Sequence, residues 1–387
     1  MILRDQRRTG SIVSCPLADA VGYHLAAPLL ADRPLPPFTR ACMDGYALSR
    51  RDLADPPAGG FRIVRRQFAG QPDGGPVNAG EAIKISTGAV VPALPDAVVI
   101  PHEHTESLGE NRIRVVQNPP PDGFLQTIGS DACAGTVLQP AGTLLTPAVI
   151  AVAAAVGKDP VLIEKPLSVG VLTTGDEVIP PDQEPAAHQV RGSNGPFLRA
   201  VLENGRFPVT LHHANDEPFR IKTLLRELLS TCDVVLTVGG VASGPRDFLP
   251  GVLADLGCRT WFQRVAQKPG KPLWCGEDPH GRVIFALPGN PASVALCLAR
   301  YVLPWLRHGR QGRSFNPSRV FLSHEVTNRL GLTRFFPYEM DENGEGRTVS
   351  LNTSGDFLTL ARARGWIEVP PESIFPQKTS FSAFPLW

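Results

Sequence analysis

Three short stretches of this 387-residue chain end an apolar run and then set out glycines beside hydroxyl, amide and carboxylate groups. They are Thr173-Thr174-Gly175-Asp176-Glu177, the run Gly239-Gly240-Val241-Ala242-Ser243-Gly244 that continues to Asp247, and Pro288-Gly289-Asn290-Pro291-Ala292-Ser293. Glycine lets the backbone come close to a ligand, and amides at a strand end or helix start favour anions. Glu177 and Asp247 could hold Mg2+ against phosphate oxygens, because hard oxygen donors suit that ion. A fourth loop, Gln267-Lys268-Pro269-Gly270-Lys271-Pro272, fixes two lysines between prolines, and Arg246 adds another cation. Such a set reads as a site for a polyanion with a divalent cation. Ser193-Asn194-Gly195 reads equally as a helix cap or a ligand contact, Asp216 as an N-cap and Asp233 as a strand-entry turn residue.

The elements that must position these groups are legible around them. Val234, Val235, Leu236 and Val238 are β-favouring with little polar alternation, as in a strand buried on both faces of a mainly parallel sheet. From Leu167 onward strands and helices alternate, which predicts βαβ units. Strands are expected over Ser168–Leu172, Phe207–His212 and Arg282–Leu287, and helices over Asn194–Glu203, Phe248–Leu256 and Ala292–Leu303. After Asp216, residues Ile221, Leu224, Leu225, Leu228 and Leu229 fall on one helical face. Open α/β sheets bind ligands at the carboxyl ends of their strands, so the three glycine-bearing loops are predicted to share one rim.

The flanks read differently. Leu17–Leu30 has the apolar spacing of a short helix, and Asp44-Gly45 marks a turn. Short β-like runs follow at Phe61–Val64, Ala82–Ile85, Ala97–Ile100 and Arg112–Val116. Thr146 is placed to cap a helix that starts at Pro147 and closes at Gly157. Beyond Gly312, runs at Arg319–Val326, Arg334–Met340, Thr348–Leu351, Phe357–Leu360 and Trp366–Val369 predict a small barrel or sandwich. The fold class is therefore multi-domain α/β plus β. Its parts are an elongated helical domain (1–35 with 132–165), an inserted β domain (36–131), an α/β domain (166–311) and a C-terminal β barrel (312–387).

Composition excludes several classes. Single cores stop growing at roughly 250 to 300 residues, so more than one domain is required. A formal net charge of +1 offers no field for nucleic acid or an anionic membrane. The seven cysteines are scattered without a CxxC pair, which argues against a disulfide framework or a zinc site and for a reducing, cytoplasmic setting. MILRDQRRTG has no apolar stretch behind its charges, and Ala148–Val156 is far short of the ~20 residues a spanning helix needs. His102, His104 and Glu106 would share one face of a strand, but two histidines and one acid read as a polar edge rather than a metal site. Ser243 has no His/Asp set to make it a nucleophile.

With these residues assembled, the chain resembles the MoeA family of molybdopterin molybdenumtransferases, which includes the C-terminal domain of gephyrin. The similar segments are MDGYAL (Met43–Leu48), KISTGAVVP (Lys84–Pro92), DAVVI (Asp96–Ile100), TTGDEV (Thr173–Val178), VGGVASGPRD (Val238–Asp247), KPGKP (Lys268–Pro272) and LPGNPAS (Leu287–Ser293). The resemblance implies a molybdopterin-binding three-layer α/β domain and a homodimer. It also implies a reaction in which molybdate is inserted into adenylylated molybdopterin, with Mg2+ and release of AMP. Site positions that carry over are Asp44, Thr87, Asp131, Glu177, Asp216, Asp247, Lys268, Lys271, Pro288 and Pro291. Contacts to the pterin and its phosphate would come from Thr174, Gly175, Asp176, Ser193, Asn194, Gly239, Gly240, Ser243, Gly244, Gly289, Asn290 and Ser293. Glu177 and Asp247 would hold the metal. Implied protein partners are a molybdopterin adenylyltransferase and recipient molybdoenzymes. Ala242 stands where the family commonly has a hydroxyl residue, and no cation lies between Asp122 and Asp131. A non-catalytic binding or delivery module is the alternative use of the same fold; an adenylyltransferase is disfavoured by the β domains and MDGYAL.

Overall fold

The computed structural model describes residues 11–242, 244, 246–308 and 316–385. The chain divides into two compact units, Ser14–Ile163 and a second that joins the residues before Ser14 to the chain from Glu164 onward.

In the first unit a six-stranded sheet runs in the order Ala97–Pro101, Gly45–Ser49, Glu81–Ile85, Phe61–Gln67, Arg112–Val115, Thr105–Ser107. Successive side chains of a strand point to opposite faces. Here both faces are covered: Ala47, Ile83, Ile85 and Val99 pack on one side, and Tyr46, Leu48, Ala82, Val98 and Ile100 on the other. Asp44 belongs to a bend, and Gly45 begins the strand after it. A Cβ on Gly45 would lie 2.0 Å from the Ile100 carbonyl oxygen, so only glycine allows that pairing.

The helix expected over Leu17–Leu30 does not form. A 3-10 turn covers Leu17–Asp19, and the amides of Gly22, Leu25 and Ala26 donate to the carbonyls of Leu145, Thr143 and Leu162. Gly22 at φ +90° and Pro28 both oppose helical continuation, and Leu29–Leu30 instead pairs with Val137–Gln139. One α-helix, Pro147–Ala155, is present in this unit among the described residues, with Thr146 Oγ1 accepting from Val149 N at 3.3 Å as its cap. His102–His104 is a 3-10 turn, so the shared strand face expected for His102, His104 and Glu106 is absent.

The second unit holds the α/β domain. Its elements are β1 (Val169–Thr174), α1 (Asn194–Asn204), β2 (Val209–Ala214), α2 (Pro218–Thr231), β3 (Val234–Val238), α3 (Leu249–Asp255), β4 (Arg259–Gln263), β5 (Trp274–Glu277), β6 (Val283–Leu287) and α4 (Pro291–Cys297). The helix at α4 continues as π-helical Leu298–Val302 and α-helical Leu303–His308, past the Leu303 end expected for it. The sheet order is β2-β1-β3-β6-β5-β4, parallel from β2 to β6 and antiparallel beyond. Helices α1 and α4 cover one face, packing Leu198, Val201, Val294 and Cys297 onto Val169, Val171, Leu236 and Phe285. Helices α2 and α3 cover the other, through Ile221, Leu225, Leu228, Leu249 and Val252 on Leu172, Val235 and Ile284. All five residues of β3 are buried, including Thr237, whose hydroxyl has no hydrogen-bond partner. An unpaired buried polar group costs about 1–3 kcal/mol, whereas each of the four buried aliphatic neighbours contributes about 1.5–3. The strand therefore stays central despite Thr237.

The C-terminal strands of the same unit are Ser318–Phe321, Val326–Asn328, Thr333–Met340, Gly346–Thr348, Gly365–Val369, Ser373–Phe375 and Ser380–Pro385. A sheet runs 333–340, 365–369, 380–385, 318–321, and a bridge from Leu322 to Gly346 closes it, since 346–348 pairs back on 333–340. Phe357–Leu360, expected as a strand, is a turn. Asp356 accepts from Thr359 N, Thr359 Oγ1 and Asn352 N, and these local bonds replace a ladder.

Candidate functional site: a cleft at the carboxyl edge of the sheet

Register sets the site. Thr174 pairs with Ala214, Thr173 with Val238, and Val238 with Leu287, so the carboxyl ends of β2, β1, β3 and β6 are level. The loops after β1, β3 and β6 leave side by side. Gly239 has φ +94°, and a Cβ there would meet Thr174 Oγ1 at 2.8 Å and Thr174 O at 3.0 Å. Glycine is required at 239 because the neighbouring strand end comes that close. Between the loops lies a cleft of about 860 Å3.

The cleft wall includes Thr174, Gly175 and Glu177 from the first loop, Gly239, Gly240 and Asp247 from the second, and Pro288, Gly289, Asn290 and Pro291 from the third. Ser193 and Asn194, at the start of α1, and Asp216, after β2, complete the expected part of it. Asn194 Nδ2 donates to Gly289 O at 2.7 Å, locking α1 to the third loop. Ser193 makes no side-chain cap bond, which leaves its hydroxyl for other partners. Asp247 Oδ2 accepts from Gly244 N at 2.6 Å, so Gly244 shapes the loop rather than the wall.

Other expected positions fall elsewhere. Asp176 is not in the wall; its Oδ1 accepts from Asp216 N at 2.9 Å and its Oδ2 from Arg246 at 3.0 Å. It is a strut between two rim loops. Asp216 does not cap α2, whose N-cap is Glu217, because Pro218 at the first helical position moves the start one residue on. Ser293 is buried inside α4 and is absent from the wall. Lys268 and Lys271 are exposed, and Pro272 is what their loop contributes to the wall. Ser243 lies outside the described residues.

Charge of both signs lines the cleft. Glu177, Asp216 and Asp247 face it together with Arg191, Arg199 and Arg246. Burial, then the neighbouring Asp176 charge, push the Asp216 carboxyl above the usual carboxylate range. No group of three or more metal-ligating side chains occurs among the described residues. Sequence reading did not single out Arg191, Arg199, His212 or His213 as wall residues. Arg191 directly precedes Gly192-Ser193-Asn194, Arg199 lies one turn beyond Gly195 on α1, and the histidines end β2, so their positions carried the signal.

Asp44, Thr87 and Asp131 belong to the first unit. Asp44 Oδ1 accepts from Thr87 N at 2.6 Å and Thr87 Oγ1 at 3.0 Å. These bonds, led by the backbone amide, hold the Asp44 carboxyl below its ordinary range. Asp131 accepts from Gln126 Nε2 through both oxygens, at 3.0 and 2.9 Å, and Gln126 Oε1 accepts from Arg40 Nε at 2.7 Å. Arg40 is thus linked to Asp131 through one amide.

An open, mainly parallel sheet whose level strand ends open onto a glycine-walled cleft defines a ligand-binding domain of the doubly wound α/β class. Comparison with known proteins narrows the class. Residues 2–157 match the family model described as "MoeA N-terminal region (domain I and II)", and residues 170–308 the one described as "Probable molybdopterin binding domain". The molybdopterin molybdenumtransferase of Synechocystis is 30% identical over 95% of this chain and 93% of its own length. That of Nostoc is 32% identical over 91% and 83% respectively. The crystal structure of the molybdopterin biosynthesis MoeA protein from Pyrococcus horikoshii is 25% identical, with a TM-score of 0.82 over 100% of this chain and 97% of that one. This chain belongs to the MoeA family of molybdopterin molybdenumtransferases.

Proposed function

We propose that this chain carries the activity for which its relatives are named, a step of molybdenum cofactor biosynthesis in which molybdate is inserted into adenylylated molybdopterin and AMP is released. The observation that carries this reading is the cleft itself, whose wall is built from strand ends within the segment matching a molybdopterin-binding model. Backbone amides at Gly240 and Gly289 suit a phosphate and a flat ring brought close to the main chain, whereas the Gly239 amide donates to Leu287 O at 3.2 Å. Arg191, Arg199 and Arg246 offer countercharge to a phosphoanhydride.

The carboxylates fit Mg2+ held partly by substrate. That ion commonly takes one or two protein carboxylates and completes its shell with water and phosphate oxygens, so a dispersed set is what it needs. Glu177 and Asp247 would hold it, with Asp216 beside them. When bound it would neutralise charge on the phosphoanhydride. Asp44, Thr87 and Asp131 are assigned to a cleft completed by a second copy of the chain, as a homodimer. A cytoplasmic location, an adenylyltransferase as donor and molybdoenzymes as recipients belong to the same proposal. No helix among the described residues is long and apolar enough to cross a membrane.

The test supplies purified protein with adenylylated molybdopterin, molybdate and Mg2+ and measures AMP. Release that depends on molybdate supports the reading, and none at saturating molybdate sinks it. Exposure of Lys268 and Lys271 away from the wall favours a second reading, a binding or delivery module. That module would bind molybdopterin tightly without turnover.

A further inference from the structure

The rim of the cleft has a neighbour outside the α/β sheet. Helix α4, which leaves the third rim loop, buries Ala292, Ala295 and Leu296 against Phe335, Trp366 and Phe384 of the C-terminal strands. Further along, Arg300 lies over the Phe384 ring at 4.6 Å, and its Nε donates to Glu368 Oε2 at 3.2 Å. At the start of the helix the loop 352–359 reaches the rim directly. Asn290 Nδ2 donates to Ser354 Oγ at 2.8 Å, and Ala292 N donates to Ser354 O at 3.1 Å. That loop is tied internally by Asp356, at 3.2 Å from Asn352 N and 2.7 Å from Thr359 Oγ1, and by Thr353 Oγ1 at 3.2 Å from Gly355 N. Ser354 is therefore presented by a loop whose own polar groups hold it in shape.

A second tie joins the same two bodies. Gln267-Lys268 forms a parallel pair with the C-terminal sheet, Gln267 opposite Thr333 and Lys268 opposite Arg334. Gln267 is buried, donates to Pro269 O at 3.1 Å, and accepts a hydrogen bond from the Tyr301 hydroxyl. Two of the loops singled out by their chemistry are thus anchored on the C-terminal strands.

We propose that the C-terminal β domain braces the cleft, with Ser354 as a positioning residue that sets the Asn290 carboxamide against the substrate. This rests on the cleft being the site for adenylylated molybdopterin. A carboxamide has two N–H donors and a carbonyl acceptor. With one N–H committed to Ser354, rotation about its terminal bond is restrained, and the other N–H and the oxygen keep a fixed direction. Ser354 is not part of the cleft wall and acts through Asn290. Removing its hydroxyl leaves, among the described residues, the backbone bond to Ala292 as the loop's hydrogen bond to the rim.

The test compares Ser354→Ala and Ser354→Thr in the full chain. Hydrogen exchange at residues 289–294 in ligand-free protein reads the brace, and KM against kcat for AMP release reads its consequence. Ser354→Ala is expected to speed exchange and to raise KM for adenylylated molybdopterin about three- to tenfold, the scale of one lost hydrogen bond, with kcat changed less than about twofold. Ser354→Thr restores both. Unchanged exchange in Ser354→Ala overturns the brace. Faster exchange with unchanged KM, or a Thr variant as impaired as the Ala variant, overturns the positioning role. A wild-type chain that releases no AMP counts against the transferase reading and leaves the exchange measurement decisive for the brace.

Discussion

Two carboxylates, one in each unit, are held in opposite ways. Asp44 takes the amide and hydroxyl of Thr87, and its proton affinity falls. Asp216 is partly buried beside Asp176, and its proton affinity rises. The negative charge of Asp44 is answered by donors within its own unit, so it is a stable anion that can hold a fixed place. The charge of Asp216 is answered incompletely, so a cation arriving in the cleft is stabilised there. Perturbation in that direction, in a cleft, is a mark of a working site; perturbation toward the charged form is equally common in structural networks.

The largest effect that would sharpen this contrast is on turnover. Asp216→Ala and Asp247→Ala are each expected to lower AMP release at least about a hundredfold, roughly 2.7 kcal/mol in transition-state stabilisation, with circular dichroism unchanged. A loss under about tenfold would remove the cation role from either residue. Next comes the sign of the stability change. At neutral pH Asp216→Asn is expected to raise the melting temperature by about one or two degrees, because it removes an ill-satisfied charge, whereas Asp44→Asn lowers it. Equal signs in calorimetry would erase the distinction.

The smallest effect is in the pH dependence. Native protein binds the Asp216 proton more tightly than the unfolded chain. That carboxyl therefore favours folding in acid, and its contribution fades as pH climbs from the unfolded value through the raised folded one. Asp44 runs the other way: its contribution is present above the unfolded value and is lost as pH falls through the depressed folded one. If the proposed Mg2+ meets Asp216, protons compete with it there, and calorimetric Mg2+ affinity should begin to weaken at a higher pH in the wild type than in Asp216→Asn. Superimposable profiles would show that Asp216 does not meet the ion.

Much of the cleft was legible because a buried parallel strand and its exit loop leave a local signature. Val234–Val238 followed by two glycines announces a strand end whatever the rest of the chain does, and parallel register then aligns it with its neighbours. What failed depended on partners distant in sequence. Nothing near Leu17–Leu30 reveals that its amides will find carbonyls at 143–145 and 162, so its apolar spacing alone reads as a helix. Phe357–Leu360 has strand-like side chains, but Asp356 captures the local amides first. Asp176 carried the residue type and position of a ligand contact, and only the fold shows Arg246 and the Asp216 amide already claiming it. Arg199 on its own reads as the solvated face of a helix.

The strut at Asp176 makes the cleft a shared resource. Arg246 is held by Asp176 at 3.0 Å and also lines the cleft, so an incoming anion and Asp176 compete for one guanidinium. An anion that wins leaves Asp176 uncompensated next to Asp216, and the local demand for positive charge rises. By reciprocity of linked equilibria, whatever factor the anion adds to cation affinity, the cation returns to the anion. Nucleotide and metal titrations would then carry, beyond the coupling that shared phosphate oxygens give, a heterotropic share through a residue that contacts neither, and Asp176→Asn would remove that share.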